Sequence, residues 1–296
     1  MEWESLVQLI QAQAATDGMH DTLVKGVQLG RFSAPLLAER CSRRPSLAVV
    51  AQGAKQIKIG SETFSYNAGS YFVGALYLPM EIRVTSATKK TPYLGVVVEL
   101  DLIQLPSMGA ERKMLPLNQT FRGAFTDAAG PEILDAVTRL IRLLTTPRHI
   151  PVMAPMIRKE ILYYILCSRH GAQLRHLAET DSRVQRIAHA VEWLRQNFRR
   201  PFSMQELSKA VGMSVSGLHH QFRSVVMITP LQYHKGLRLE EARRLMVSMG
   251  IDASTASYKV GYASPSQFNR EYRRLFGDPP AREANVRKAE IQSERK

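Results

Sequence analysis

Between residues 46 and 100 apolar and polar positions alternate in short runs. The runs 46–54, 56–59, 63–66, 70–76, 81–84 and 93–100 are rich in Val, Ile, Tyr and Phe. Turn-forming residues separate them: Gly53, Gly60-Ser61, Asn67-Ala68-Gly69, Leu78-Pro79 and Thr91-Pro92. Strands this short and this regularly punctuated predict a small antiparallel barrel or sandwich. After Gly130-Pro131 the period lengthens to about 3.6. Ile133, Leu134, Val137, Leu140, Ile141 and Leu144 form one helical stripe, and Ile157, Ile161, Leu162, Tyr164 and Ile165 a second. Such stripes need a covering surface: they pack on the β-domain, or they pack on it and also form a dimer interface.

From Asp181 onward the pattern is almost wholly helical. Ser203 precedes a helix over 204–211, with Glu206 where a capping box requires it. Gly212 ends that helix and Ser214 opens the next. Thr229-Pro230 is an N-cap with proline at the first helical position, opening a long helix to about Ser248. Asp252 caps a short helix that stops near Gly261, and Pro265 opens a last one closed by Gly277. The expected class is α+β. An N-terminal antiparallel β-barrel occupies 1–110, a helical connector 111–180, and an all-α double helix-turn-helix 181–296.

The helical region repeats itself. Val211-Gly212 matches Val260-Gly261 at an offset of 49, while Leu218, Phe222 and Arg223 match Phe268, Tyr272 and Arg273 at 50. The change of one falls in the turn, where insertion is cheapest. At about 100° per residue, Leu218, Phe222, Val225 and Val226 form a buried arc on the second helix of the first copy. Ser216, His219, His220 and Arg223 lie opposite. In the second copy Phe268, Tyr272, Leu275 and Phe276 are buried, and Ser266, Asn269, Arg270 and Arg273 take the outer arc. No carboxylate stands among these eight.

That composition suits the major groove. Arg and Asn can bond bidentately to guanine and adenine edges, and Ser and neutral His to several bases. Ser216, His219, His220, Ser266, Asn269 and Arg270 are therefore the candidate base contacts. Arg223 and Arg273, further along their helices, reach phosphate and fix register. Leu231, Leu237, Leu239, Ala242, Leu245 and Met246 of the long helix would hold the two units together. Successive major grooves about 34 Å apart then give an asymmetric site of roughly 15 to 20 base pairs.

Charge agrees with a polyanionic partner. The chain has 296 residues, with 40 Lys and Arg against 26 Asp and Glu, a net +14. Residues 181–296 hold 20 basic and 11 acidic side chains, a net +9, against +5 for the longer 1–180. No apolar run approaches the roughly 20 residues that cross a bilayer. The start, Met1-Glu2-Trp3-Glu4, is not a signal peptide. Two cysteines, Cys41 and Cys167, build neither a disulfide framework nor a zinc cluster. A cytosolic protein is expected.

The segment 203–280 resembles the DNA-binding domain of the AraC/XylS family of transcription regulators. The resemblance rests on Thr229-Pro230-Leu231-Gln232-Tyr233, Leu237-Arg238-Leu239, Val260-Gly261-Tyr262 and Leu275-Phe276-Gly277-x-Pro279-Pro280. Residues 20–105 look like the cupin-like N-terminal domain of one branch of that family. They share Val49-Val50-Ala51-Gln52-Gly53-Ala54-Lys55, Tyr66-Asn67-Ala68-Gly69 and Pro92-Tyr93-Leu94. The resemblance implies binding of double-stranded promoter DNA through both helix-turn-helix units, contact with RNA polymerase, and activation. It implies that the N-terminal domain senses a small-molecule effector, dimerises, or both. The family's base-contacting positions fall on the six residues named above. Met227 departs from the family, where small residues are usual.

Enzyme readings fare worse. Metal-holding cupins need two or three His and a Glu, but 46–100 contains no histidine, so no metal and no cofactor is expected. There is no G-x-S-x-G elbow. RNA binding would need exposed aromatic platforms, whereas Phe222, Phe268 and Tyr272 fall on buried arcs. Cys41 lies among Arg40, Arg43 and Arg44, which would lower its thiol pKa if they stay close; it is read either as a loop cysteine with no special role or, as the resemblance to this branch implies, as an electrophile sensor. Cys167, on an apolar helix beside Tyr163 and Tyr164, is expected in the core.

Overall fold

The computed structural model describes residues 2–108, 122–178 and 182–286. The expected domain boundaries at 110/111 and 180/181 lie outside the described residues. Among the described residues ten strands form two antiparallel sheets. One has six strands: β1 (Gly18–Asp21), β2 (Val27–Phe32), β9 (Tyr93–Glu99), β4 (Ser46–Gln52), β7 (Ser70–Gly74) and β10 (Ala124–Ala128), in that order. The other has four: β3 (Leu36–Arg43), β8 (Leu78–Ser86), β5 (Ala54–Ile59) and β6 (Glu62–Asn67). The sheets face each other and are not closed into a barrel, so of the two expected forms the sandwich is the one adopted.

The larger sheet is buried on both faces. Leu47, Val49 and Ala51 of β4 and Leu94, Val96 and Val98 of β9 pack against helices, while Ala48, Val50, Tyr93 and Val97 between them point into the sandwich. Alternate side chains of a strand leave opposite faces, so double burial demands near-continuous apolar runs. The covering helices are α1 (Glu2–Gln13), α3 (Pro131–Arg142) and α4 (Ile150–Cys167), with Leu6, Ile10, Ile133, Val137, Leu140, Ile157 and Ile161 in the shared core. The apolar stripes of the connector are thus covered by the β-domain. Two shorter helices, α2 (Leu105–Met108) and α5 (Gly171–Ala178), flank them.

In the smaller sheet one face is wet: Lys58 of β5 is exposed while Lys55, Ile57 and Ile59 point inward. β3, like β1, β2 and β10, lies outside the runs that predict strands. It is an edge strand that leaves Leu37 and Ala38 exposed and half-buries its charged residues, of which Arg40 pairs with Glu81 of β8 at 2.8 Å.

The remaining helices are α6 (Arg183–Asn197), α7 (Met204–Ala210), α8 (Val215–Val226), α9 (Pro230–Met249), α10 (Ala253–Lys259) and α11 (Pro265–Phe276). The sandwich interior continues without a break into the core of α6 to α8. Ile57, Phe72, Met80 and Val97 belong to the same cluster as Ile187, Leu194, Leu218 and Phe222. The unit of α10 and α11 has a separate core built on Leu239, Ala242, Phe268 and Tyr272.

Candidate nucleic-acid interface

Local chemistry sets both helix-turn-helix units. Ser203 accepts the Glu206 amide at 3.2 Å to start α7, and Ser214 accepts the Gly217 amide at 3.2 Å to start α8. Gly212, at φ +62°, makes the turn between them. In the second unit Asp252 accepts the Thr255 amide at 3.0 Å, Gly261 turns at φ +90°, and Pro265 opens α11. Among the described residues the full reciprocal capping box belongs to Thr229 and Gln232 at the start of α9, not to Ser203 and Glu206. Met227 ends α8 in the left-handed region at φ 66°, the one non-glycine residue among the described residues to do so. A single such residue costs roughly 1–2 kcal/mol, here offset by burial of the methionine side chain.

The buried arcs are as the helical wheel requires. Leu218, Phe222, Phe268 and Tyr272 are fully buried, and Phe222 meets Tyr233 edge-on at 5.6 Å. Leu275 and Phe276 are partly buried against the second core. Ser216, His219, His220 and Arg223 of α8 are all exposed, as are Ser266, Asn269, Arg270 and Arg273 of α11. None of these eight side chains carries a hydrogen bond or ion pair to the protein among the described residues. Other arginines of the region are engaged: Arg195 with Glu192, Arg244 with Glu241, Arg238 and Arg243 with main-chain carbonyls. The acid on α11, Glu271, is turned away. Burial alone would raise its pKa, but hydrogen bonds from Lys235 at 2.6 Å, Tyr262 at 2.8 Å and Gln267 at 3.2 Å hold it below the ordinary value.

The spacer role of α9 rests less on its leucines than on Arg238. This guanidinium donates to the carbonyls of Phe198 (2.6 Å), Gly261 (2.9 Å) and Arg200 (2.7 Å), tying the end of α6 to the second turn. Beside it His234 bonds the Arg200 carbonyl at 3.2 Å. Burial and the Arg238 charge push this imidazole down to about 4. Leu239, Ala242, Leu245 and Met246 pack as expected, but Leu231 is exposed and lines a cleft against the sandwich.

Both cysteine expectations are corrected. Cys167 is exposed, not core. Cys41 lies in β3, and burial raises its thiol pKa by more than Arg43 lowers it, opposite to the lowering expected from its arginine neighbours. Among the described residues no group of three or more His, Cys, Asp and Glu is placed to hold a metal, and no helix is long and apolar enough to cross a membrane.

Residues 23–173, just over half of the chain, match the family model of the AraC-type transcriptional regulator N-terminus, and residues 207–285 match a helix-turn-helix domain. The chain is similar to the HTH-type transcriptional activator RhaS of Escherichia fergusonii, 26% identical over 161 residues that make up 54% of this chain and 57% of RhaS. It is also similar to the HTH-type transcriptional regulator CdhR of Pseudomonas aeruginosa, 25% identical over 162 residues, 54% of this chain and 47% of CdhR. The chain spans about half the length of the curated relatives it matches. Among solved structures it resembles ToxT from Vibrio cholerae, with a TM-score of 0.60 and 12% identity over 88% of this chain and 98% of ToxT. A ToxT structure with unsaturated fatty acid bound gives 0.56 and 8% over 88% and 95%. At these identities the likeness is one of fold.

Proposed function

The chain belongs to the AraC family of transcriptional regulators, and from that premise we propose that it binds promoter DNA sequence-specifically through α8 and α11. In this reading Ser216, His219 and His220 read bases in one major groove and Ser266, Asn269 and Arg270 in the next, while Arg223 and Arg273 hold phosphates. The observation that carries it is the set of eight exposed side chains on two equivalent helix faces, without a carboxylate and without protein partners. The relatives and the matched domains are those of regulators, not enzymes.

The division of labour we propose keeps 1–110 as sensor, 111–180 as connector and dimerisation segment, and 181–296 as DNA reader, working in the cytoplasm. A small molecule bound in the N-terminal domain shifts how the first helix-turn-helix unit is presented, because that unit shares its core with the sandwich. ToxT, of like fold, has been solved with a fatty acid. Activation through contact with RNA polymerase is the sign favoured by the resemblance to RhaS.

Gel shifts with duplex from the DNA beside its own gene, against random duplex, across a salt series test the reading. Tighter binding to the first at every salt concentration is expected; equal affinity for both would reduce the protein to a non-specific binder. Run-off transcription with added polymerase then fixes the sign.

A further inference from the structure

One end of the sandwich interior is built of polar groups without partners. Lys55 of β5 points inward, in register with Tyr66 of β6 and Val84 of β8, and is buried. None of the ion pairs among the described residues involves it. Its ammonium sits 5.5 Å from the centre of the Tyr93 ring. Tyr66 stacks on Phe72, yet its hydroxyl is buried with no hydrogen-bond partner, and so is Nε of Arg43. Arg43 donates through Nη1 to Gln28 at 2.9 Å, and with Gln28, Ser42, Arg44 and Val97 it lines a cavity of about 320 Å³. Asp21 and Glu99 also stand in that wall and balance Arg43 and Arg44 there, whereas Lys55 is not part of it.

The groups that face Lys55 do not neutralise it. From β3 come Arg43, Cys41 and Glu39; Arg43 repels it more strongly than Glu39 attracts it. Burial keeps the Cys41 thiol and the hydroxyls of Tyr66 and Tyr93 neutral. Burial, with Arg43 second, holds Lys55 at about 8, so it still carries its proton at neutral pH. A buried cation without a counter-charge is expensive, and an anion with hydrogen-bond acceptors on both sides would satisfy it.

We propose that this end of the sandwich binds a small carboxylate with an apolar body, its carboxylate held by Lys55, Arg43 Nε and the Tyr66 hydroxyl. Ile57, Val84, Phe72 and Tyr93 belong to the same buried apolar cluster as Tyr66, and such surroundings favour an apolar body over a bare oxyanion. The proposal deepens the effector reading and rests on it for its consequence at DNA, not for binding itself.

The test is calorimetric titration of the full chain with sodium acetate, butyrate and benzoate, each against its amide and against inorganic phosphate. At least one carboxylate should bind about tenfold or more tighter than its amide, and about tenfold weaker at pH 9.5 than at pH 7, as Lys55 loses its proton. Lys55→Met should lose that binding by about tenfold or more, while Lys55→Arg keeps it. Should Lys55→Met not fold, Tyr66→Phe carries the test, with a loss of about threefold or more. No carboxylate binding, equal binding of the amide, phosphate binding tightest, or an unchanged Lys55→Met affinity each overturns the site. A carboxylate that binds without altering duplex affinity leaves the site standing and overturns the effector reading.

Discussion

Tyr233 of α9 donates its hydroxyl to the main-chain carbonyl of Tyr77 at 2.8 Å, so the helix between the two reading units is bonded directly to the N-terminal sandwich. The contact is buried, with Phe222 against the Tyr233 ring and the Arg195 guanidinium 4.3 Å over that of Tyr77. Removing the hydroxyl leaves a buried carbonyl without that donor and the packing intact. Tyr233→Phe should therefore cost about 1–2 kcal/mol in urea unfolding. Tyr233→Ala, which also opens a cavity, should cost about 3–5 kcal/mol. Equal losses for the two would show that the bond to Tyr77 is not what the ring is for.

A second contact between sandwich and reader is made by backbone alone. Gly60, at φ +60°, lies in the β5–β6 turn where a Cβ would fall on the carbonyl of Met227. Gly69, at φ +87°, has nothing within 4 Å of where its Cβ would go. Both substitutions to alanine bear the left-handed penalty of roughly 1–2 kcal/mol. Only Gly60→Ala must also push the sandwich off the end of α8. Its loss of stability should exceed that of Gly69→Ala, and hydrogen exchange should speed up around Val225 and Gly123, whose amide bonds the Val225 carbonyl at 2.8 Å.

His234 makes a pH prediction with a definite sign. Its folded pKa of about 4 lies below the ordinary 6.5 or so of an unfolded histidine. Between those values the unfolded chain takes up a proton that the folded chain refuses, so stability falls as pH drops through that window, by at most about 3 kcal/mol. His234→Phe keeps the contact with Phe202, and the Arg200 carbonyl keeps its bond from Arg238. That variant should show a flatter profile of unfolding free energy between about pH 6.5 and pH 4. A slope unchanged from the parent would remove His234 as its source.

What could be read in advance follows from what leaves a periodic trace. β4 and β9 are buried on both faces and so are apolar throughout, which made them legible as strands, but not which sheet they join. β3, reading Leu-Leu-Ala-Glu-Arg-Cys-Ser-Arg, hides as a loop because an edge strand keeps its charges and pairs Arg40 with Glu81. The outer arcs of α8 and α11 follow from 3.6-residue geometry, so the wheel located them. Arg238 was invisible as a hub because its partners are main-chain carbonyls, which have no residue type. Cys41 misled for a related reason: three neighbouring arginines suggested an acidic thiol, but burial, which the local sequence does not display, acts more strongly. Leu231 likewise counted as core by its chemistry, and it faces a cleft.

The two classes of DNA contact separate by how their loss depends on sequence and salt. Arg270 lies on the exposed arc of α11 near its middle, where a base edge would be in reach, and Arg223 sits in the last turn of α8. Arg270→Ala should cost about 1–3 kcal/mol on the preferred duplex and relax selectivity at one position. Arg223→Ala should weaken all duplexes alike and lower the slope of log affinity against log salt by about one. A uniform loss for Arg270→Ala would move it to the phosphate class. A loss confined to one base pair for Arg223→Ala would do the reverse, and place the first reading helix deeper in its groove than the proposed contacts require.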